Sequence, residues 1–79
     1  MDMQEIFFTF RSVTYAQEGE RVLRRAGIPA YLRRTPARLA KRGCGYTVVV
    51  RPRDEARAQA LFDREAVAYQ NVYRMEGTP

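Results

Sequence analysis

The sequence predicts an α+β fold of the ferredoxin-like split βαβ type: a β-α-β-short helix-β-α-β order that closes a four-stranded antiparallel sheet with two helices on one face. Three observations carry this expectation. Four short segments are rich in aromatic or β-branched residues at period two, two longer segments follow helical spacing, and Gly or Pro stands at most of the junctions. With 79 residues the chain has room for one domain, and a domain of this size buries only about 60% of its unfolded surface. An ordered core over residues 5–75 is expected, with 76–79 as a tail.

Glu5 to Arg11, "EIFFTFR", reads as the first strand, with Ile6, Phe8 and Phe10 on one apolar side. Thr14 followed by Gln17 has the spacing of a capping box, and Ala16, Val22, Leu23 and Ala26 continue at helical spacing. Gly27, just before Pro29, is placed to stop this helix. Gly19 lies inside it at a cost of up to about 1 kcal/mol relative to Ala, which close packing against the sheet would explain. Ala30 to Arg34 is a short second strand with Ala30 and Leu32 on one side and Tyr31 and Arg33 on the other.

Thr35-Pro36 has the form of a cap followed by a first helical residue, so "PARLAKR" predicts about two turns anchored by Leu39 and ended by Gly43. "GYTVVVR" is the third strand and the clearest β signal. Its more apolar side, Tyr46, Val48 and Val50, is expected to face the helices, and Thr47, Val49 and Arg51 form the mixed side. Pro52 ends the strand, and Asp54 is placed to cap a helix over 55–66 with Ala58, Leu61 and Phe62 buried. Tyr69 to Met75 reads as the fourth strand.

Composition narrows the chemistry. One cysteine excludes an internal disulfide, and the lack of His together with a single thiol argues against a protein-built zinc or iron–sulfur site. Without His or a paired-carboxylate motif, Cys44 is the main candidate for any reaction, and no stand-alone enzyme activity is expected. An unpaired thiol without a secretory leader predicts the reducing cytoplasm, and no segment has the roughly 20 apolar residues of a membrane span.

Net charge is +5, and 13 of the 14 cations are Arg. Arg33, Arg34, Arg38, Lys41 and Arg42 come without an intervening acid, directly before Cys44.

Two functions compete for "KRGCGYTVVV". Arg42-Gly43-Cys44-Gly45-Tyr46 has the basic-Gly-x-Gly-aromatic form of an RNA-recognition strand, with Phe7 and Tyr31 as further candidate rings. Cys44 stands where a base-stacking ring is needed, and an inward Tyr46 could not stack a base. The other reading is a displayed thiol. Gly43 and Gly45 would give access and amide donors, while Arg38, Lys41 and Arg42 would favour the thiolate against the opposing dipole of the short helix. A protein-interaction module is a third possibility, dimerising through a semi-apolar sheet face of Phe7, Thr9, Tyr31 and Arg33.

Ser12, Ala16 with Glu20, Ala26-Gly27-Ile28, Thr35-Pro36, Leu39 and Cys44-Gly45 together resemble the pattern of the small selenium/sulfur carrier protein-like family, over about residues 5 to 76. The residues before Cys-Gly in that family are usually small and polar, whereas here they are Lys41-Arg42-Gly43. The resemblance implies a bacterial-type protein whose Cys44 holds sulfur or selenium as a persulfide or perselenide. It implies a donor such as a cysteine desulfurase and an acceptor protein. No cofactor is expected beyond the atom carried transiently on Cys44.

Overall fold

In a computed structural model, the structure describes residues 4–37, 39 and 45–76. The chain forms β1 (Gln4–Phe10), α1 (Val13–Arg25), β2 (Tyr31–Arg34), β3 (Tyr46–Val50), a 3₁₀ turn (Pro52–Asp54), α2 (Glu55–Arg64) and β4 (Asn71–Glu76). The strands lie in the order β2-β3-β1-β4, each antiparallel to its neighbour. This is the α+β ferredoxin-like arrangement that the order of elements predicts.

Helix α1 begins earlier than Thr14. Its cap is Ser12, whose extended backbone lets Oγ accept from the Tyr15 N–H at 3.4 Å. Ser outranks Thr as a cap, and the start at Ser12 brings the helix in two residues after Phe10 ends β1. At the other end Gly27 has φ +81, Gly27 N–H donates to Arg24 C=O and Ile28 N–H to Leu23 C=O. That is a Schellman stop, completed by the buried Ile28.

Asp54 occupies the position before α2, as the sequence suggests, but makes no side-chain capping bond. Its carboxylate lies 3.7 Å from Arg51 Nε instead, because the 3₁₀ turn brings Arg51 and Asp54 to the same side. Helix α2 ends with the same hydrogen-bond pattern as α1, closed by Val67 N–H on Phe62 C=O. Here Ala66 takes the left-handed conformation, φ 57, at a cost of about 1–2 kcal/mol that Gly would avoid.

β4 starts at Asn71 rather than Tyr69. Gln70 N–H donates to Thr9 C=O at 2.7 Å, while the Tyr69 ring packs against Phe8 and Phe62. The Tyr69 aromatic signal therefore belongs to the core beside the strand.

The helices cover one sheet face with Ile6, Phe8, Phe10, Val48 and Val50 beneath them, and Tyr46 half-buried against the same cluster. The β3 periodicity thus reports the inward side correctly. Gly19 owes its place to this packing. A Cβ there would stand 2.8 Å from the tip of the buried Phe10 ring and 3.3 Å from that of Phe62. The helix propensity that Ala would add, about 1 kcal/mol, is outweighed by overpacking of about 1–3 kcal/mol.

The face without helices differs from expectation. Phe7 and Thr9 are buried there, as are Thr47 and Val49. Long polar side chains close the surface over them: the Arg33 guanidinium lies 5.5 Å above the Phe7 ring and 3.5 Å from Glu5, whose carboxylate also accepts from the Tyr31 hydroxyl. Phe7 and Thr9 therefore drop out of the semi-apolar dimer surface, and of its four residues only Tyr31 and Arg33 remain exposed. Among the described residues no helix is long and apolar enough to cross a membrane.

Candidate functional site

β2 and β3 run antiparallel from Tyr31↔Val49 to Arg34↔Tyr46, so the segment joining them leaves and returns at one end of the sheet. Its two ends are tied together. Thr35 N–H donates to Gly45 C=O at 3.1 Å, continuing the ladder one step past the strands. The Thr35 and Thr47 hydroxyls meet at 2.8 Å with both residues buried.

The sequence assigned Thr35 the job of a helix cap. Its hydroxyl also meets Thr47 across the sheet and so fastens the segment's ends, while the helix it would cap lies largely outside the described residues. Of the two-turn helix expected from Pro36, the described part is a turn in which Leu39 N–H donates to Pro36 C=O at 2.9 Å.

Gly45 is buried in this corner. A Cβ on it would come within 3.3 Å of Phe10 C=O and 3.4 Å of Thr35 Oγ1, so a glycine lets β3 start against the end of β1. Among the candidate site residues Gly45 is the described one. Cys44, Gly43, Arg38, Lys41 and Arg42 lie outside the described residues.

The fastening predicts a measurable asymmetry. Thr35→Val leaves the Thr47 hydroxyl buried without its partner and should lower stability by about 1–3 kcal/mol. Replacing both threonines by Val should cost less than the sum of the single changes, because neither polar group is then stranded. Urea unfolding of the singles and the double checks this; strict additivity would remove the hydroxyl pair from the account.

Two of the three candidate rings of the RNA-like motif are covered in whole or in part. Phe7 is buried beneath Arg33, and Tyr46 packs on the helix side with the Arg34 guanidinium 6.0 Å from its ring. Tyr31 is exposed, with its hydroxyl committed to Glu5.

A family model described as Putative Se/S carrier protein-like matches residues 5–74. The chain belongs to this family. The match runs from β1 into β4 and spans Cys44, so the corner at Gly45 is part of the Se/S carrier-like domain. No curated protein and no solved structure matches significantly.

Among the described residues of the Se/S carrier-like chain, the Tyr31 phenol has its proton affinity moved by its surroundings. Burial raises the Tyr31 phenol above its ordinary value of 10.0; its hydrogen bond to Glu5 and the charge of Glu5 add to this, and Arg33 opposes it. A raised acid favours the neutral form in the folded state. Its contribution to stability is therefore complete below pH 10 and lost as pH rises from there through the folded value. Glu5→Ala removes acceptor and charge together and should bring the Tyr31 midpoint partway back toward 10, leaving the burial contribution. NMR titration of labelled tyrosines reads this directly, and an unmoved midpoint would sever the link to Glu5.

Proposed function

We propose that the protein is a sulfur or selenium carrier and that Cys44 is the atom-bearing residue. The observation that carries the reading is membership of the Se/S carrier-like family over 5–74, in a chain whose single cysteine lies inside that span. The tied Thr35–Gly45 corner supports it, because it fixes the backbone at the residue next to Cys44.

The chemistry is a sulfane exchange. The Cys44 thiolate attacks the terminal sulfur of a donor persulfide, R–S–SH. The new bond joins Cys44 Sγ to that sulfur, the donor S–S bond breaks, and R–S⁻ leaves with the electron pair. No external oxidant or reductant is consumed. An acceptor thiolate then attacks the same terminal atom, and Cys44 leaves as the thiolate. A donor carrying R–S–SeH would load selenium by the same step.

In this proposal Arg38, Lys41 and Arg42 hold the anionic persulfide electrostatically, and amides at Gly43 and Gly45 add hydrogen bonds. Thr35 and Pro36 take no chemical part. The donor is a cysteine desulfurase or a protein of equivalent chemistry, the acceptor is a second protein, and the relay works in the cytoplasm. The test is to incubate the protein with a cysteine desulfurase and cysteine, and separately with the desulfurase and selenocysteine, whose cleavage supplies the R–S–SeH donor, and to read adducts at Cys44 by mass spectrometry. A reducible sulfur or selenium adduct on Cys44 is expected; its absence with both sources contradicts the proposal.

A further inference from the structure

Among the described residues β2 is an edge strand, with β3 as its neighbour in the sheet. In an antiparallel pair every second residue turns its N–H and C=O away from the partner, so part of the β2 backbone between Tyr31 and Arg34 faces outward. An edge of this kind accepts an added strand. Its own charges select which one. Arg33 and Arg34 are exposed along it, and Arg34 has no acid partner among the described residues.

The edge starts in an open groove of about 700 Å³. The exposed Pro29 gives it an apolar side over the buried Ile28, Ala30 and Val50, and Arg24 and Arg51 give it positive charge. Each of these arginines is held through Nε, Arg24 by Ala30 C=O and Glu20, Arg51 by Asp54, and each side chain is at least half exposed. Glu5, the acid among its described lining residues, is taken up by Tyr31 and Arg33. An apolar depression with two cations, opening onto a basic strand edge, is complementary to an extended chain that carries acids and one apolar side chain.

We propose that the β2 edge and this groove dock an extended acidic segment of a partner protein, added as a fifth strand with an apolar side chain in the groove. Four strand residues span about 13 Å, so a segment seated on β2 runs from the groove to the Thr35–Gly45 corner. A protein held there has its next residues beside Gly45, which follows Cys44 in the sequence. The inference rests on the carrier reading only for what the partner does; docking itself needs no thiol.

The test uses the full chain, isotopically labelled, and a short end-blocked peptide alternating Val and Glu, with a Val-Lys peptide as its counterpart. Saturable amide shifts confined to Tyr31–Arg34 and the groove are expected, with the Val-Lys peptide weaker by about tenfold or more. Arg24→Glu combined with Arg34→Glu should reverse that preference; if the variant does not fold, the comparison of the two peptides on the unmodified protein still decides. Cys44→Ser should bind the Val-Glu peptide unchanged, which separates failure of docking from failure of sulfur carriage. The proposal is overturned by absence of saturable shifts at millimolar peptide, by shifts centred on β4 or the helices, or by equal binding of both peptides. It is equally overturned by two copies of the chain pairing along β2, or by an oligonucleotide taking the same site in preference to the acidic peptide.

Discussion

Phe62→Ala is expected to remove about 3–5 kcal/mol of stability. Phe62 is fully buried. Its ring stands edge-on to Phe8 with centroids 5.0 Å apart and to Phe10 at 5.9 Å, and lies 5.6 Å from Tyr69. It also borders the space that Gly19 leaves open in α1. One side chain of α2 therefore joins both helices to the middle of the sheet and to the segment before β4.

A chain of 79 residues has a total stability on the order of 4–12 kcal/mol, so this variant sits close to unfolding at room temperature. Phe62→Leu, which keeps much of the volume, should retain a cooperative transition and lose markedly less. Urea denaturation gives both values. A loss below about 1 kcal/mol for Phe62→Ala would mean that the aromatic cluster does not organise the core.

Cys44→Ser is expected to have the opposite profile, with folding preserved and sulfur loading abolished. Serine differs from cysteine by one atom, and its hydroxyl is not ionised near neutral pH, so no nucleophile remains to attack a donor persulfide. Under the carrier proposal, the charge-reversing changes Arg38→Glu and Arg42→Glu should slow loading without abolishing it, since they would weaken the hold on the anion and leave the attacking atom in place. A pH profile separates these effects: removing cations should move the loading midpoint upward as the thiolate becomes harder to form. An unmoved midpoint would leave the arginines with no part in the chemistry.

The residues differ in how much they disclose before folding. The inward side of β3 was legible in Tyr46, Val48 and Val50, and the helix stop in Gly27, because each rests on a local rule of period or backbone conformation. Gly19 was legible as an exception whose reason had to be a close neighbour, and that neighbour is Phe10. The α1 cap was misplaced because Thr14-Gln17 and Ser12 both satisfy capping patterns, and only the end of β1 at Phe10 decides between them.

The closed sheet face could not be read from the strands one at a time. Glu5, Tyr31 and Arg33 are far apart in sequence and meet only through the β2-β3-β1 order. The same holds for Thr35 and Thr47, whose pairing fastens the corner. The Gly-Cys-Gly stretch was legible as a chemical candidate from composition alone, since no other residue of this chain offers a comparable nucleophile.

The most direct measurement of sulfur carriage is the intact mass of the protein and of Cys44→Ser, matched in melting behaviour, after incubation with a cysteine desulfurase and cysteine and then with an acceptor thiol. The predicted result is a gain of one sulfur on the unmodified protein, localised to Cys44, removed by reductant and discharged to the acceptor, with no gain on Cys44→Ser. Equal loading of the two proteins, or an unmodified protein that stays unloaded with both sulfur and selenium sources, would contradict it.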